Sequence, residues 1–113
     1  MTVCEKTFAA ALPTLLLCRK AGAVTPGVGA TLDAVRRAGG KPAAVILASD
    51  ASDRTKKQVG DKCAFYGVEL FEVPATGEEI GRFFGKRSPC AAAAIEKRGP
   101  HAALVGKLKA DNG

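Results

Sequence analysis

The chain has no tryptophan, one tyrosine and one histidine, and each scarcity narrows what it can do. The aromatics are Phe8, Phe65, Tyr66, Phe71, Phe83 and Phe84. They fall mostly at core spacings, so a row of stacking platforms for single-stranded nucleic acid is not expected. His101 has no carboxylate or nucleophile close to it in sequence and reads as a surface or cap residue. Cys4, Cys18, Cys63 and Cys90 form no CxxC pair and have no neighbouring His at metal-ligand spacing, so a zinc site is not expected. Cys18 and Cys63 sit on apolar helix faces, where a thiol acts as a small hydrophobe. A reduced, cytoplasmic protein without metal or cofactor is the expectation. The apolar run Phe8 to Cys18 is too short to span a bilayer and is broken by Pro13, and no segment resembles a signal peptide. The glycine-rich turn Gly22 to Gly29 lacks both the GxGxxG spacing and the Lys-Ser/Thr pair of a phosphate loop, which leaves a nucleotide site as the weakest reading. Asp50 and Asp53 follow a strand end, where many α/β enzymes place an acid, but helix capping accounts for them without chemistry. No acid–base pair converges in sequence, and the chain is not expected to be an enzyme.

What is present is positive charge on an ordinary globular composition. Seventeen Lys and Arg stand against 11 Asp and Glu, a net charge of +6. That excess suits a polyanion, nucleic acid before anionic membrane. At 113 residues with no repeats, one domain over 1–113 is expected, acting as a monomer, with 111–113 a loose tail.

The stretch Ala48 to Val73 organises the rest. Ala43 to Ala48 is an apolar run that reads as a buried strand. Ser49 to Ser52 supplies helix-capping oxygens, and Val59, Cys63 and Tyr66 then make one apolar helical face. Gly67 closes that helix, and Val68 to Val73 alternates like a strand, giving a βαβ unit with parallel strands. Upstream, Met1 to Lys6 reads as frayed. A nearly all-apolar helix runs to about Ala21, buried on most sides, with Pro13 expected in its first turn. Arg19 and Lys20 suit the negative end of its dipole, with an RNA contact as the equal alternative. Ala23 to Thr25 is an edge strand, and Pro26 to Gly29 turns into a helix through about Ala38, stopped at Gly39-Gly40. Downstream, Thr76 and Glu79 form a capping-box pattern before a short helix buried through Ile80, Phe83 and Phe84. Lys86 to Pro89 is a basic loop, and Cys90 to Ile95 a small-residue buried strand. The last helix runs from Gly99-Pro100 to about Lys109 with Ala103, Leu104 and Leu108 inward. The alternation implies a mixed or mainly parallel sheet covered by helices on both faces. Lys56 and Lys57 read as a solvated helix face.

The wording DAS-x-x-TKK, then DK-x-AFYGV and an acidic-apolar strand, resembles the L7Ae/L30e family of ribosomal and RNA-binding proteins, most of all its small bacterial YlxQ-like branch. Leu15 to Gly22, Glu79-Ile80-Gly81 with Gly85, and Gly99 fall where the family has counterparts, so the resemblance covers nearly the whole chain. It implies an α/β three-layer α-β-α sandwich with four strands, and a non-enzymatic, ribosomal-protein-like partner of structured RNA such as ribosomal RNA. In the family the start of the second helix enters the groove of a kink-turn, and the loop after the fourth helix covers the bend. Here those segments are Gly27, Val28, Gly29 and Ala30, whose free backbone N–H groups make an anion site, and Lys86, Arg87, Ser88 and Pro89. Thr25, Lys20 and Arg36 are candidate flanking contacts. The best-known kink-turn binders carry Asn-Glu and a Lys three residues on. The matching positions here are Gly29, Ala30 and Asp33, which offer no such base contacts and put a negative charge in place of a positive one. Gadd-type relatives of this fold bind proteins, so a protein–protein module that has lost kink-turn recognition is the alternative.

Overall fold

A computed structural model describes residues 2–37 and 40–110. The elements alternate as the sequence predicts: α1 (Glu5–Lys20), β1 (Val24–Pro26), α2 (Val28–Val35), β2 (Ala44–Ala48), α3 (Asp53–Tyr66), β3 (Glu69–Val73), α4 (Gly77–Phe83), β4 (Ala92–Ile95) and α5 (His101–Lys109). The strands form one mixed sheet in the order β1-β4-β2-β3. β2 and β3 are parallel, as the βαβ reading requires, and β4 runs antiparallel to both β1 and β2. The register sets two poles. Val24, Ile95, Ala44 and Glu69 form one end row. Pro26, Ala93, Ala92, Leu47 and the ends of β2 and β3 form the other.

Every residue of β2 and β4 is buried, which is why these strands read as continuous apolar runs rather than alternating ones. Alternate side chains serve opposite faces. Ile46, Phe71, Ala93 and Ile95 pack with Phe8, Leu15, Ile80, Leu104 and Leu108 of α1, α4 and α5. Val45, Leu47 and Ala92 pack with Val35 of α2 and Val59 and Cys63 of α3. The alanines of β4 suit its place between two strands with helices on both faces, because small side chains let the layers approach. Ser52 caps α3 by accepting from the Thr55 N–H, Gly67 closes that helix with φ 71°, and Thr76 and Glu79 form both bonds of the capping box on α4.

Several expectations fail for identifiable reasons. Thr2 to Lys6 are not frayed: Thr2 bridges to Glu72, the Val3 N–H donates to the Glu72 carbonyl at 2.8 Å, and Val3 is buried. A sheet of only four strands gains from covering the outer edge of β3. Pro13 lies in the interior of α1, not in its first turn. The carbonyl it leaves without a donor is that of Ala9, and Pro13 and Ala9 are both exposed, so water can take the place of the missing N–H. α1 is not buried on most sides either, since Leu16 and Leu17 are exposed. Ala103 faces solvent while Leu104 and Leu108 are buried. α2 ends at Val35 with Arg36 as its cap. The expected extension therefore fails at Arg36 and Arg37, while Ala38, the stop at Gly39, the start at Met1 and the tail 111–113 lie outside the described residues. Asp50 caps a different helix from the one expected: its Oδ1 accepts from the Gly77 N–H at 2.8 Å, at the start of α4. Lys57 keeps the solvated helix face the sequence suggests, exposed beside Asp61 at 3.5 Å, whereas Lys56 is partly covered and reaches Glu72 at 3.6 Å. No described helix is long and apolar enough to cross a membrane.

Candidate nucleic-acid interface

Two segments far apart in sequence meet at the Pro26 pole. The Gly27 N–H donates to the Ala92 carbonyl at 2.8 Å, which ties the start of α2 to β4. Pro26, Gly27, Lys86, Ser88, Pro89 and Cys90 line a shallow concavity of about 120 Å³ between them. Gly27 is the N-cap of α2 with φ 105° and ψ 145°, a conformation that side chains rarely adopt, and it offers no capping side chain. The Thr31 N–H takes the Gly27 carbonyl. The N–H groups of Val28, Gly29 and Ala30 therefore have no intrahelical acceptor and sit at the positive end of the helix dipole. Gly29 and Ala30 are exposed.

The basic loop is held by backbone. Gly85 (φ 69°) ends α4 with the Gly85 N–H on the Arg82 carbonyl and the Lys86 N–H on the Gly81 carbonyl, the Schellman pattern that a left-handed residue permits. Gly77 and Gly81 lie four residues apart and so share one face of α4. The returning segment lies on that face. The Cys90 N–H donates to the Gly77 carbonyl at 2.8 Å, and a methyl group on Gly81 would stand 2.5 Å from the Ser88 carbonyl oxygen. Lys86, Arg87, Ser88 and Pro89 are exposed. The sequence leaves Arg19 between complementing its own helix dipole and contacting RNA. Its guanidinium instead donates to the Phe83 carbonyl at 3.2 Å, beside Gly85, and fastens the end of α1 to the root of the loop. Lys20 is exposed next to it. Beneath the loop, burial pushes the Cys90 thiol up from its ordinary value, against smaller opposing effects of the Gly27 and Ala92 backbone and the Lys86 charge. The thiol stays protonated and donates to the Ala92 carbonyl at 3.0 Å.

Not every candidate residue joins this surface. The Thr25 hydroxyl points toward the opposite pole and donates to Glu96 Oε2 at 2.8 Å, so its proton is already committed. Asp33 and Arg36 pair at 2.6 Å, one turn along α2. The pair cancels the negative charge of Asp33, and it also occupies Arg36, which the sequence suggested for a phosphate. At the end of α2, Arg37 meets buried Glu96 at 3.1 Å. This pair was invisible in sequence, because its partners are 59 residues apart. Among the described residues no group of three or more His, Cys, Asp or Glu could hold a metal.

A model of the family described as "Ribosomal protein L7Ae/L30e/S12e/Gadd45 family" matches residues 9–105. Two relatives are each described as "RNA-binding protein YlxQ". The one from Enterococcus faecium is 37% identical over 70 residues, 62% of this chain and 65% of that protein. The chain therefore spans just under two thirds of that relative's length. The one from Bacillus subtilis (strain 168) is 36% identical over 76 residues, 67% of this chain and 73% of that protein. Among solved structures, a protein with unknown function from Bacillus halodurans C aligns with a TM-score of 0.73 and 28% identity, covering 88% of this chain and 96% of that one. The Giardia lamblia 15.5kD RNA binding protein aligns with a TM-score of 0.77 and 25% identity, covering 96% of this chain and 92% of that one.

Proposed function

This chain belongs to the ribosomal protein L7Ae/L30e/S12e/Gadd45 family, in its YlxQ-like branch, and from that premise we propose that it is a non-enzymatic protein that binds structured RNA. The observation that carries the reading is the meeting of the α2 start with the Lys86–Cys90 loop around one concavity. Unpartnered backbone N–H groups there suit a phosphate or a base edge, and the loop cations suit neighbouring phosphates. The target we propose is a bent RNA, kink-turn-like or ribosomal, held by phosphate contact and shape. Gly29 and Ala30 have no side chain that could read a base edge, so sequence discrimination from this helix is small. The proposal includes a single domain over 1–113 acting as a monomer in the cytoplasm, on or near the ribosome.

The test is an anisotropy titration with a kink-turn RNA and an unkinked duplex, each at low and high salt. Affinity falls as salt rises, since phosphate contacts release counterions, and the kinked RNA binds more tightly than the duplex. Absence of binding at low salt, or binding indifferent to salt, would falsify the reading. Gly29→Asn/Ala30→Glu/Asp33→Lys sharpens it. A large gain in kink selectivity in this variant identifies a scaffold whose own binding rests on backbone and loop alone.

A further inference from the structure

The pole opposite this surface carries a second positive concavity. It measures about 350 Å³ and includes Arg37, Lys41, Lys97 and Arg98 around Thr25 and Glu96. Glu96 is buried, and both of its oxygens are occupied: Oε1 accepts from Arg37 at 3.1 Å and Oε2 from Thr25 at 2.8 Å. It is part of the fold and not a free acid facing a ligand. Burial alone would raise its pKa, but hydrogen bonds from Arg37 and Thr25, with the charges of Arg37 and Arg98, hold it below the usual carboxylate range. It therefore stays ionised and keeps Arg37 at the wall. Lys97 and Arg98 are exposed and carry no ion pair among the described residues. Against one carboxylate, four cations leave the cavity strongly positive, and its volume admits a group the size of a phosphate or a nucleotide.

The cavity continues into an aromatic edge. Lys41 lies 5.3 Å from the centroid of the Tyr66 ring and donates to the Tyr66 carbonyl at 3.2 Å. Tyr66 meets Phe65 with centroids 4.9 Å apart in a T-shaped arrangement. Phe65 is 80% exposed, although its spacing from the sequence suggested the core. A large aromatic left in water gives up the stabilisation that burial would supply. Here it stands at the end of α3 against Tyr66, whose ring faces Lys41 of the cavity wall. Positive charge beside a presented ring is the combination that binds a single strand: cations take the phosphates and the ring takes a base. A duplex would not satisfy it, because its bases are stacked on one another and only an unstacked base can reach the ring.

We propose that the Lys41–Lys97–Arg98 cavity and Phe65 form a second nucleic-acid contact, which takes a single-stranded RNA segment with a phosphate in the cavity and a base on Phe65. A bent RNA held at the Pro26 pole would reach it only with a single-stranded flank. The inference rests on the RNA-binding reading for its ligand class, but on different residues.

The experiment uses a labelled eight-nucleotide uridine strand and the same structured RNA with and without a single-stranded flank. The strand binds the unmodified protein, and its affinity falls about tenfold or more in Lys97→Glu/Arg98→Glu and several-fold in Phe65→Ala. It falls clearly less in Lys86→Glu/Arg87→Glu, which makes the same change in net charge, than in Lys97→Glu/Arg98→Glu. Phe65→Trp restores affinity and, in a chain without tryptophan, supplies a single fluorophore. The strand quenches it, whereas heparin, a polyanion without bases, does not. Strand binding that is indifferent to the Phe65 and Lys97/Arg98 changes overturns the proposal, as does charge sensitivity without any Phe65 effect. Structured RNA that binds while the strand does not, with no gain from the flank, sinks this inference and leaves the proposed function standing. The reverse result, with the strand bound and structured RNA ignored, supports this contact and ends the reading of the Pro26 pole.

Discussion

The two ends of α2 both concentrate positive charge, but they hold it by different means. At the Gly27 end the charge is carried by backbone N–H groups and by loop side chains with no buried counterion among the described residues, fixed from behind by hydrogen bonds among carbonyls and amides. At the Arg37 end a buried carboxylate anchors one cation and through it the wall of a cavity. Backbone anchoring separates binding from folding, because the loop side chains can change without touching what holds the loop. Anchoring by a buried ion joins the two, because removing Glu96 takes from Arg37 and Thr25 the acceptor that holds them at the cavity wall.

The largest test of this contrast is Gly81→Ala. The added methyl group would lie 2.5 Å from the Ser88 carbonyl, and neither side of that contact is a flexible side chain. A loss of about 2–3 kcal/mol in chemical denaturation is expected, with weakened RNA affinity as the loop is displaced. An unchanged midpoint would mean that the loop is not seated on α4. Next in size is Lys86→Glu/Arg87→Glu. Affinity for structured RNA falls at least tenfold, about 1.4 kcal/mol, with the melting temperature unchanged. A drop in melting temperature would erase the distinction between the poles. Glu96→Gln is expected to do the opposite, costing about 1 kcal/mol of stability, discounted because Arg37 is half-exposed, with little effect on structured-RNA affinity. The pH dependence sharpens this further. Folded Glu96 binds its proton less readily than the unfolded chain does, so its contribution is present above the ordinary carboxylate pKa and is lost as pH falls through the depressed folded value. Acid titration of stability below about pH 4.5 is therefore shallower in Glu96→Gln than in the unmodified protein. The smallest effect is at Lys57, an exposed helix cation paired with Asp61. Lys57→Ala shifts stability by no more than about 0.5 kcal/mol.

Elements were legible in the sequence wherever their signals were local. The capping oxygens of Ser52 and Thr76, the helix-closing Gly67 and the apolar runs of β2 and β4 state their structure within a few residues. The site was legible in halves. The Gly27–Ala30 turn and the Lys86–Pro89 loop could each be picked out, but their meeting depends on β4 lying between β1 and β2, a long-range pairing. The same limit hid Arg37–Glu96, the reach of Asp50 to Gly77 and the grip of Arg19 on Phe83. Phe65 and Leu17 failed for another reason. Helical spacing assigns a residue to a face, but only the packed neighbours decide whether that face is covered. Pro13 shows that a local rule can be met outside its usual place when the group it orphans faces water.

The four-residue recurrence of glycine along α4 makes the loop above it a replaceable cassette. Since Gly77 and Gly81 receive the returning chain through its main-chain atoms, the positions from Lys86 to Pro89 carry almost no structural obligation. Members of such a lineage could exchange those side chains for others and so change which molecule they hold, while the barrel of the helix and the sheet beneath stayed as they are. A library randomised over these positions should consist mostly of folded proteins, which makes this segment a starting point for retargeting the scaffold.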